Sequence, residues 1–151
     1  MIVPISNFQV KEITARDCYP IRQQVLWQHK EIDQCGIAAD LESSAFHLGV
    51  FHEDELVCIG SFFSQKNPNF REPNQYRLRA MATLPSFQKK GTAKLLLSLA
   101  FQKLRSDSQK ILWCDARIIA TGFYQKLGFV SHGEPYEIPL IGTHYLMSKR
   151  I

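Results

Sequence analysis

One amphipathic helix, and the way it begins, constrains this chain most. Ala93, Leu96, Leu97, Ala100, Phe101 and Leu104 fall at i, i+3, i+4, i+7, i+8 and i+11, while Lys94, Ser98 and Gln102 mark the opposite face. A helix so patterned lays its apolar side on another element and fixes one layer of the fold. Just before it stands Gln88-Lys89-Lys90-Gly91-Thr92-Ala93, following a strand-like run over 75–84 that Pro85 closes. The first amides of a helix lack intrahelical acceptors, and the macrodipole is positive at that end. Gly91 lets a bulky anion approach the backbone and two lysines add charge, so the hexapeptide reads as a pyrophosphate cradle. A basic helix start facing water has the same composition. Neither GxxxxGK[ST] nor GxGxxG occurs, so this is neither a P-loop nor a dinucleotide fingerprint.

The other elements follow from local pattern. A strand is expected over 8–14, then a helix to about Trp27, with Thr14 and Asp17 as a capping box and Pro20 tolerable only near its start. Residues 29–44 carry few apolar side chains and read as a loop with room for a short helix. The β-rich runs 45–52 and 55–63 flank Glu53-Asp54 as a hairpin. Residues 65–74 hold Pro68, Pro73 and three asparagines and read as an exposed loop. A buried strand is expected over 111–114. Ala120, Phe123, Tyr124 and Leu127 give a second amphipathic helix capped by Gly128. Two last strands fit 129–138 and 143–149.

Strands and helices are thus mixed, as in an α/β fold, and 151 residues suit one domain. With 45% apolar residues a real core is available, and no apolar run reaches bilayer length. The start of the chain has neither the basic residues nor the apolar stretch of a signal peptide, so a cytoplasmic protein is expected. Cys18, Cys35, Cys58 and Cys114 form no CxxC pair and read as reduced structural thiols. The net charge of +4 suits an anionic ligand.

A second block, Ala120-Thr121-Gly122-Phe123-Tyr124-Gln125-Lys126-Leu127-Gly128-Phe129, follows the first at a fitting distance. With Met81-Ala82-Thr83-Leu84-Pro85-Ser86-Phe87 leading into the hexapeptide, the chain resembles the GCN5-related N-acetyltransferase (GNAT) family, firmly over 46–129 and more loosely at both ends. The resemblance implies a three-layer α/β fold whose central mixed, mostly antiparallel sheet is flanked by helices, in a single acetyltransferase domain over 1–151. It implies acetyl-CoA as co-substrate, no metal, and direct transfer of the acetyl group to a primary amine of a small molecule or peptide within a ternary complex.

Residue by residue, the resemblance implies that Gln88, Lys89, Lys90, Gly91, Thr92, Ala93 and Lys94 hold the pyrophosphate. The backbone of Met81, Ala82 and Thr83 pairs with the pantetheine arm and polarises the thioester carbonyl. Tyr124 protonates the departing thiolate, although the same spacing suits a core tyrosine. Arg117 departs from the family, many of whose members place asparagine there to contact the cofactor arm. His144, within His144-Tyr145-Leu146-Met147, resembles the His-x-x-Met ending of a subset and is the candidate base. Asp115 is the nearest carboxylate, since 111–114 holds none. Arg22, Trp27, His29 and His47 are acceptor-pocket candidates. Arg77 and Arg79 share a strand face and read either as groups for an acceptor carboxylate or as exposed charges.

Two other functions stay open at this point. A non-catalytic acyl-CoA sensor would keep Gly91 and the lysines without a working base. A nucleic-acid domain using Lys89, Lys90 and Lys94 would need an aromatic array that the chain lacks. No nucleic-acid or membrane partner is therefore expected, and a homodimer is compatible with the sequence.

Overall fold

The computed structural model describes residues 7–151; residues 1–6, part of the start where no signal-like pattern was found, lie outside them. The described chain has strands β1 (Phe8–Ile13), β2 (Phe46–His52), β3 (Glu55–Phe63), β4 (Gln75–Thr83), β5 (Ile111–Arg117), β6 (Val130–Ile138) and β7 (Gly142–Arg150), with helices α1 (Ala15–Ile21), α2 (Thr92–Ser106) and α3 (Thr121–Lys126). The seven strands form one mixed sheet in the order β1-β2-β3-β4-β5-β7-β6, flanked by helices. No helix among the described residues is long and apolar enough to cross a membrane. Two compact units can be distinguished, one running up to Phe63 and taking in Arg79–Lys103, the other comprising Ser64–Leu78 and Leu104–Ile151.

In the first unit β1, β2 and β3 pair antiparallel in sequence order. Glu53 opens the two-residue β2–β3 turn at φ 55°, the positive φ such tight hairpins demand. Thr14 and Asp17 cap α1 reciprocally: Asp17 N donates to Thr14 Oγ1 at 3.1 Å and Thr14 N to Asp17 Oδ2 at 3.0 Å. Pro20 sits deeper in the helix than its chemistry favours, beyond the first turn. Proline brings no N–H, and the ladder changes register directly afterwards. Residues Arg22–Leu26 are π-helical, with Trp27 N donating to Arg22 O at 2.9 Å. The 29–44 loop holds two short 3-10 turns, Ile32–Gln34 and Ala38–Leu41. Cys18, Ile21, Ile59 and Ala82 pack as one buried cluster, joined by Ile13, Val25 and Leu84. Leu96, Leu97 and Ala100 of α2 are fully buried, as the face periodicity requires.

In the second unit the start of β4 runs parallel to β5, pairing Gln75–Arg77 with Ile111–Trp113. β5 then pairs antiparallel with β7, and β7 with β6. That pairing carries β5 three residues beyond the expected end at Cys114, through Asp115 and Ala116 to Arg117. Gly128 at φ 94° ends α3, with Gly128 N donating to Gln125 O and Phe129 N to Tyr124 O, both at 3.0 Å. A buried Gln75 serves the 65–74 loop, accepting from Asn67 N at 2.7 Å and donating to Glu72 O at 2.8 Å. An irregular segment beside a sheet needs such partners for its backbone.

Candidate functional site

The phosphate-like segment lies in the first unit. Lys89 and Gly91 both take left-handed backbone, at φ 62° and 82°. Alternating handedness of this kind turns successive amides toward one side and makes an anion-binding concavity. Helix α2 opens directly afterwards, its first bond running from Leu95 N to Gly91 O at 3.0 Å. The earlier amides of Thr92, Ala93 and Lys94 therefore have no carbonyl of their own helix to meet. A Cβ placed on Gly91 would meet nothing within 4 Å, so the space above this backbone is open. Lys89, Lys90 and Lys94 are exposed around it. Open space, free helix amides and three ammonium groups fit a pyrophosphate.

The strand leading into that segment is joined to it. Gln88 Nε2 donates to Thr83 O at 3.3 Å, which ties the hexapeptide to the end of β4. Thr83 Oγ1 lies 3.2 Å from Cys58 Sγ, and the Thr92 hydroxyl also bonds that thiol. Burial pushes the Cys58 thiol up, so it is a neutral packing group beneath the two threonines and not a nucleophile. Met81, Ala82 and Thr83 lie beyond the register that β4 shares with β5. Ala80, just before them, stands at φ 54° inside the strand. An alanine rarely takes that backbone, and the pleat cannot run straight through it.

In the second unit a carboxylate organises the sheet face. Asp115 Oδ2 accepts from Arg77 Nη2 at 2.6 Å, and Oδ1 accepts from the Tyr136 hydroxyl. Arg77 also donates to Gln65 Oε1 at 3.2 Å and lies over the Trp113 ring, 4.8 Å from its centroid. Burial, then the bond to Asp115, raises the Tyr136 phenol above its ordinary range, so it stays a donor. Arg77 is thus no free surface charge. Its half-buried guanidinium is held on three sides, and its Nε is buried without a hydrogen-bond partner among the described residues. Asp115 has both oxygens engaged, which argues against it as a ready base.

His144 is buried on β7, opposite Tyr136 on β6 and Arg117 on β5. Its Nδ1 lies 2.7 Å from Gly142 O. A carbonyl only accepts, so Nδ1 carries the proton and Nε2 holds the lone pair of the neutral ring. The ring stacks on Tyr136 with centroids 6.3 Å apart. Arg117 ends β5 and precedes a 3-10 turn, so it is a strand-end residue. Tyr124 is buried on α3 with its ring edge-on to Phe123 and Phe129, at 5.2 and 5.1 Å.

Of the acceptor candidates, Arg22 and His47 are withdrawn from solvent within the first unit. Arg22 is fully buried and grips Asp40 through two bonds, Nη1 to Oδ2 at 2.8 Å and Nη2 to Oδ1 at 3.0 Å. It also donates to Cys35 O and Ser61 Oγ, each at 2.9 Å. Ser61 Oγ lies 2.8 Å from His47 Nδ1. Burial lowers the His47 pKa, against the pull of Asp40. Trp27 is half-buried under Lys30 Nζ, 4.9 Å from its ring centroid, and His29 is exposed. Asp40, Ser61, Gln65 and Tyr136 escaped the sequence reading because no local motif surrounds them. The one signal was a polar residue in an apolar run, as with Ser61 between Gly60 and Phe62.

Known proteins give the same fold and a family. The model of the Acetyltransferase (GNAT) domain matches residues 18–144. The chain is 40% identical over 143 residues to the "Uncharacterized N-acetyltransferase YitI" of Bacillus subtilis (strain 168), covering 95% of this chain and 96% of that protein. The ribosomal-protein-S18-alanine N-acetyltransferase of Escherichia coli superposes with a TM-score of 0.75 at 16% identity, over 95% of this chain and 94% of that one. An aminoglycoside 6'-N-acetyltransferase complexed with coenzyme A superposes at 0.74 and 12%, over 94% and 96%. The structural likenesses show the fold, and the family match with the bacterial relative shows the rest: the chain belongs to the GNAT acetyltransferase family and is an N-acetyltransferase.

Proposed function

We propose that this chain moves the acetyl group of acetyl-CoA directly to a primary amine of a small molecule or peptide, and that 1–151 acts as one acetyltransferase domain. The observation that carries the cofactor half is the left-handed Lys89–Gly91 turn with open space above it at the start of α2. In this reading the amides of Lys89, Lys90, Gly91, Thr92, Ala93 and Lys94 hold the pyrophosphate, with Gln88 fixing the turn to β4. Met81, Ala82 and Thr83 offer backbone groups to the pantetheine arm and to the oxyanion, and Arg117 offers a cation to the cofactor. The amine nitrogen attacks the thioester carbon, the C–N bond forms, and the C–S bond breaks as Tyr124 protonates sulfur. His144 Nε2 takes the proton that the amine loses.

The cofactor half is tested by thermal unfolding with and without acetyl-CoA. A ligand present at about 100 times its Kd stabilises by about 2.7 kcal/mol, a rise in Tm of about 5–11 °C for this chain length. Gly91→Glu should erase that rise, because it fills the open space with a negative charge. Gly91→Ala, which adds the same backbone strain without charge, should keep most of it. A full shift in Gly91→Glu would move the cofactor elsewhere.

The base is tested by substitution. With an acceptor that supports turnover, His144→Ala should lower kcat by about 10²–10⁴-fold while acetyl-CoA binding is kept. Equal kcat for the two chains would leave the proton to a water chain. Binding of acetyl-CoA without transfer to any amine class tested would overturn the proposed acceptor.

A further inference from the structure

The second unit contains a cavity that the transfer reaction does not use. It has a volume of about 450 Å³ and is formed by the 69–72 segment, the start of β5 and β6, and the end of β7. Ile111, the first residue of β5, lines it, whereas Asp115 and Arg117 stand at the other end of that strand. Buried Ile111 and Ser148 give it a closed floor. Phe70 and His132 form an aromatic corner, edge to face with centroids 5.0 Å apart. His132 Nε2 is fixed 2.7 Å from Ser148 Oγ.

The lining is rich in cationic side chains. Arg71, Lys149 and Arg150 line the cavity beside Glu72, which lies 3.3 Å from Arg150. Lys149 is drawn in over Gly128: a Cβ on that glycine would come within 2.7 Å of the lysine Nζ. The ammonium thus lies close over the turn that ends α3. Small-molecule sites combine this range of volume, an apolar and aromatic lining and a few placed polar groups. The space equals that of about 15 waters at about 30 Å³ each, enough for one ring and an acid group.

We propose that this cavity is a ligand site for a small ring-bearing organic anion. The ring rests on the Phe70–His132 corner and the acid group meets Lys149 and Arg71.

Phenyl phosphate is the probe, titrated calorimetrically into the full-length chain, with inorganic phosphate and phenol as its separate halves. One saturable event is expected, at least tenfold tighter than either half. Lys149→Met and Phe70→Ala should each weaken it tenfold or more, with thermal unfolding showing that both chains fold. Arg71→Glu, on an exposed side chain, gives the same reading should Phe70→Ala lower stability. Binding should persist in Gly91→Glu, which separates this cavity from the loop before α2. Absence of saturable binding, loss of it in Gly91→Glu, equal affinity for phosphate alone, or indifference to the cavity variants would each overturn the proposal.

Discussion

Arg22→Met should lower the stability of the folded chain by about 3–5 kcal/mol at neutral pH, the usual consequence of removing one partner from a buried ion pair. The guanidinium is fully buried and donates to Asp40 twice, to Cys35 O and to Ser61 Oγ. Methionine fills much of the volume but leaves a carboxylate, a carbonyl and a hydroxyl with donors missing. Burial by itself would raise the Asp40 carboxyl. The bonds from Arg22, the Ile37 amide and the guanidinium charge outweigh burial and hold it below its ordinary value.

The pH dependence has a definite sign. A folded carboxyl below its unfolded value contributes stability that is whole above the carboxylate range and is lost as pH falls through the folded value. His47, lowered by burial, acts in the same direction, since the unfolded chain takes up its proton first as pH drops below about 6.5. Wild type should therefore weaken on acidification. In Arg22→Met the unpaired Asp40 should titrate higher than in wild type, so the gap between the two chains should narrow toward pH 4. Adding Asp40→Leu to Arg22→Met should recover much of the loss. Denaturant unfolding of the three chains at pH 7 and pH 4 checks this. A pH-independent gap, or a double variant no better than the single one, would mean that packing and not charge dominates at Arg22.

That network also shows what the sequence could tell and what it could not. Elements whose identity rests on neighbours in the chain were legible: the α2 face, the 46–63 hairpin, the Thr14–Asp17 box and the Gly128 cap. Their signals are periodicity and local backbone preference. Side-chain partnerships were not. Arg22 meets Asp40 across 18 residues and Arg77 meets Asp115 across 38. A charged residue in a strand looks the same whether it faces water or a distant carboxylate, so Arg77 read as a surface charge before it read as an acceptor group. The π-helical register after Pro20 and the left-handed Ala80 were hidden for a related reason. Both go against local preference, and tertiary packing decides them. The Lys89–Gly91 turn was legible in composition, but its alternating handedness needed the backbone.

The largest kinetic effect is expected at Tyr124. Tyr124→Phe should reduce kcat by about 10²–10⁴-fold, the range that a positioned general acid supplies. The substitution keeps the ring that meets Phe123 and Phe129 edge-on and removes only the hydroxyl. Packing is therefore preserved, and acetyl-CoA should stabilise the variant and wild type alike. A purely structural tyrosine would behave otherwise, costing about 1 kcal/mol of stability for a lost hydrogen bond and leaving kcat alone. The two roles separate further through the leaving group. An alkyl thiolate is basic and needs its proton as the C–S bond breaks, whereas an aryl thiolate leaves without help. If Tyr124 supplies that proton, replacing acetyl-CoA by an acetyl aryl thioester should shrink the difference between Tyr124→Phe and wild type toward unity. A deficit of equal size with both donors would point to misplacement of the substrate, and an unchanged kcat with acetyl-CoA would leave Tyr124 as a core residue of α3.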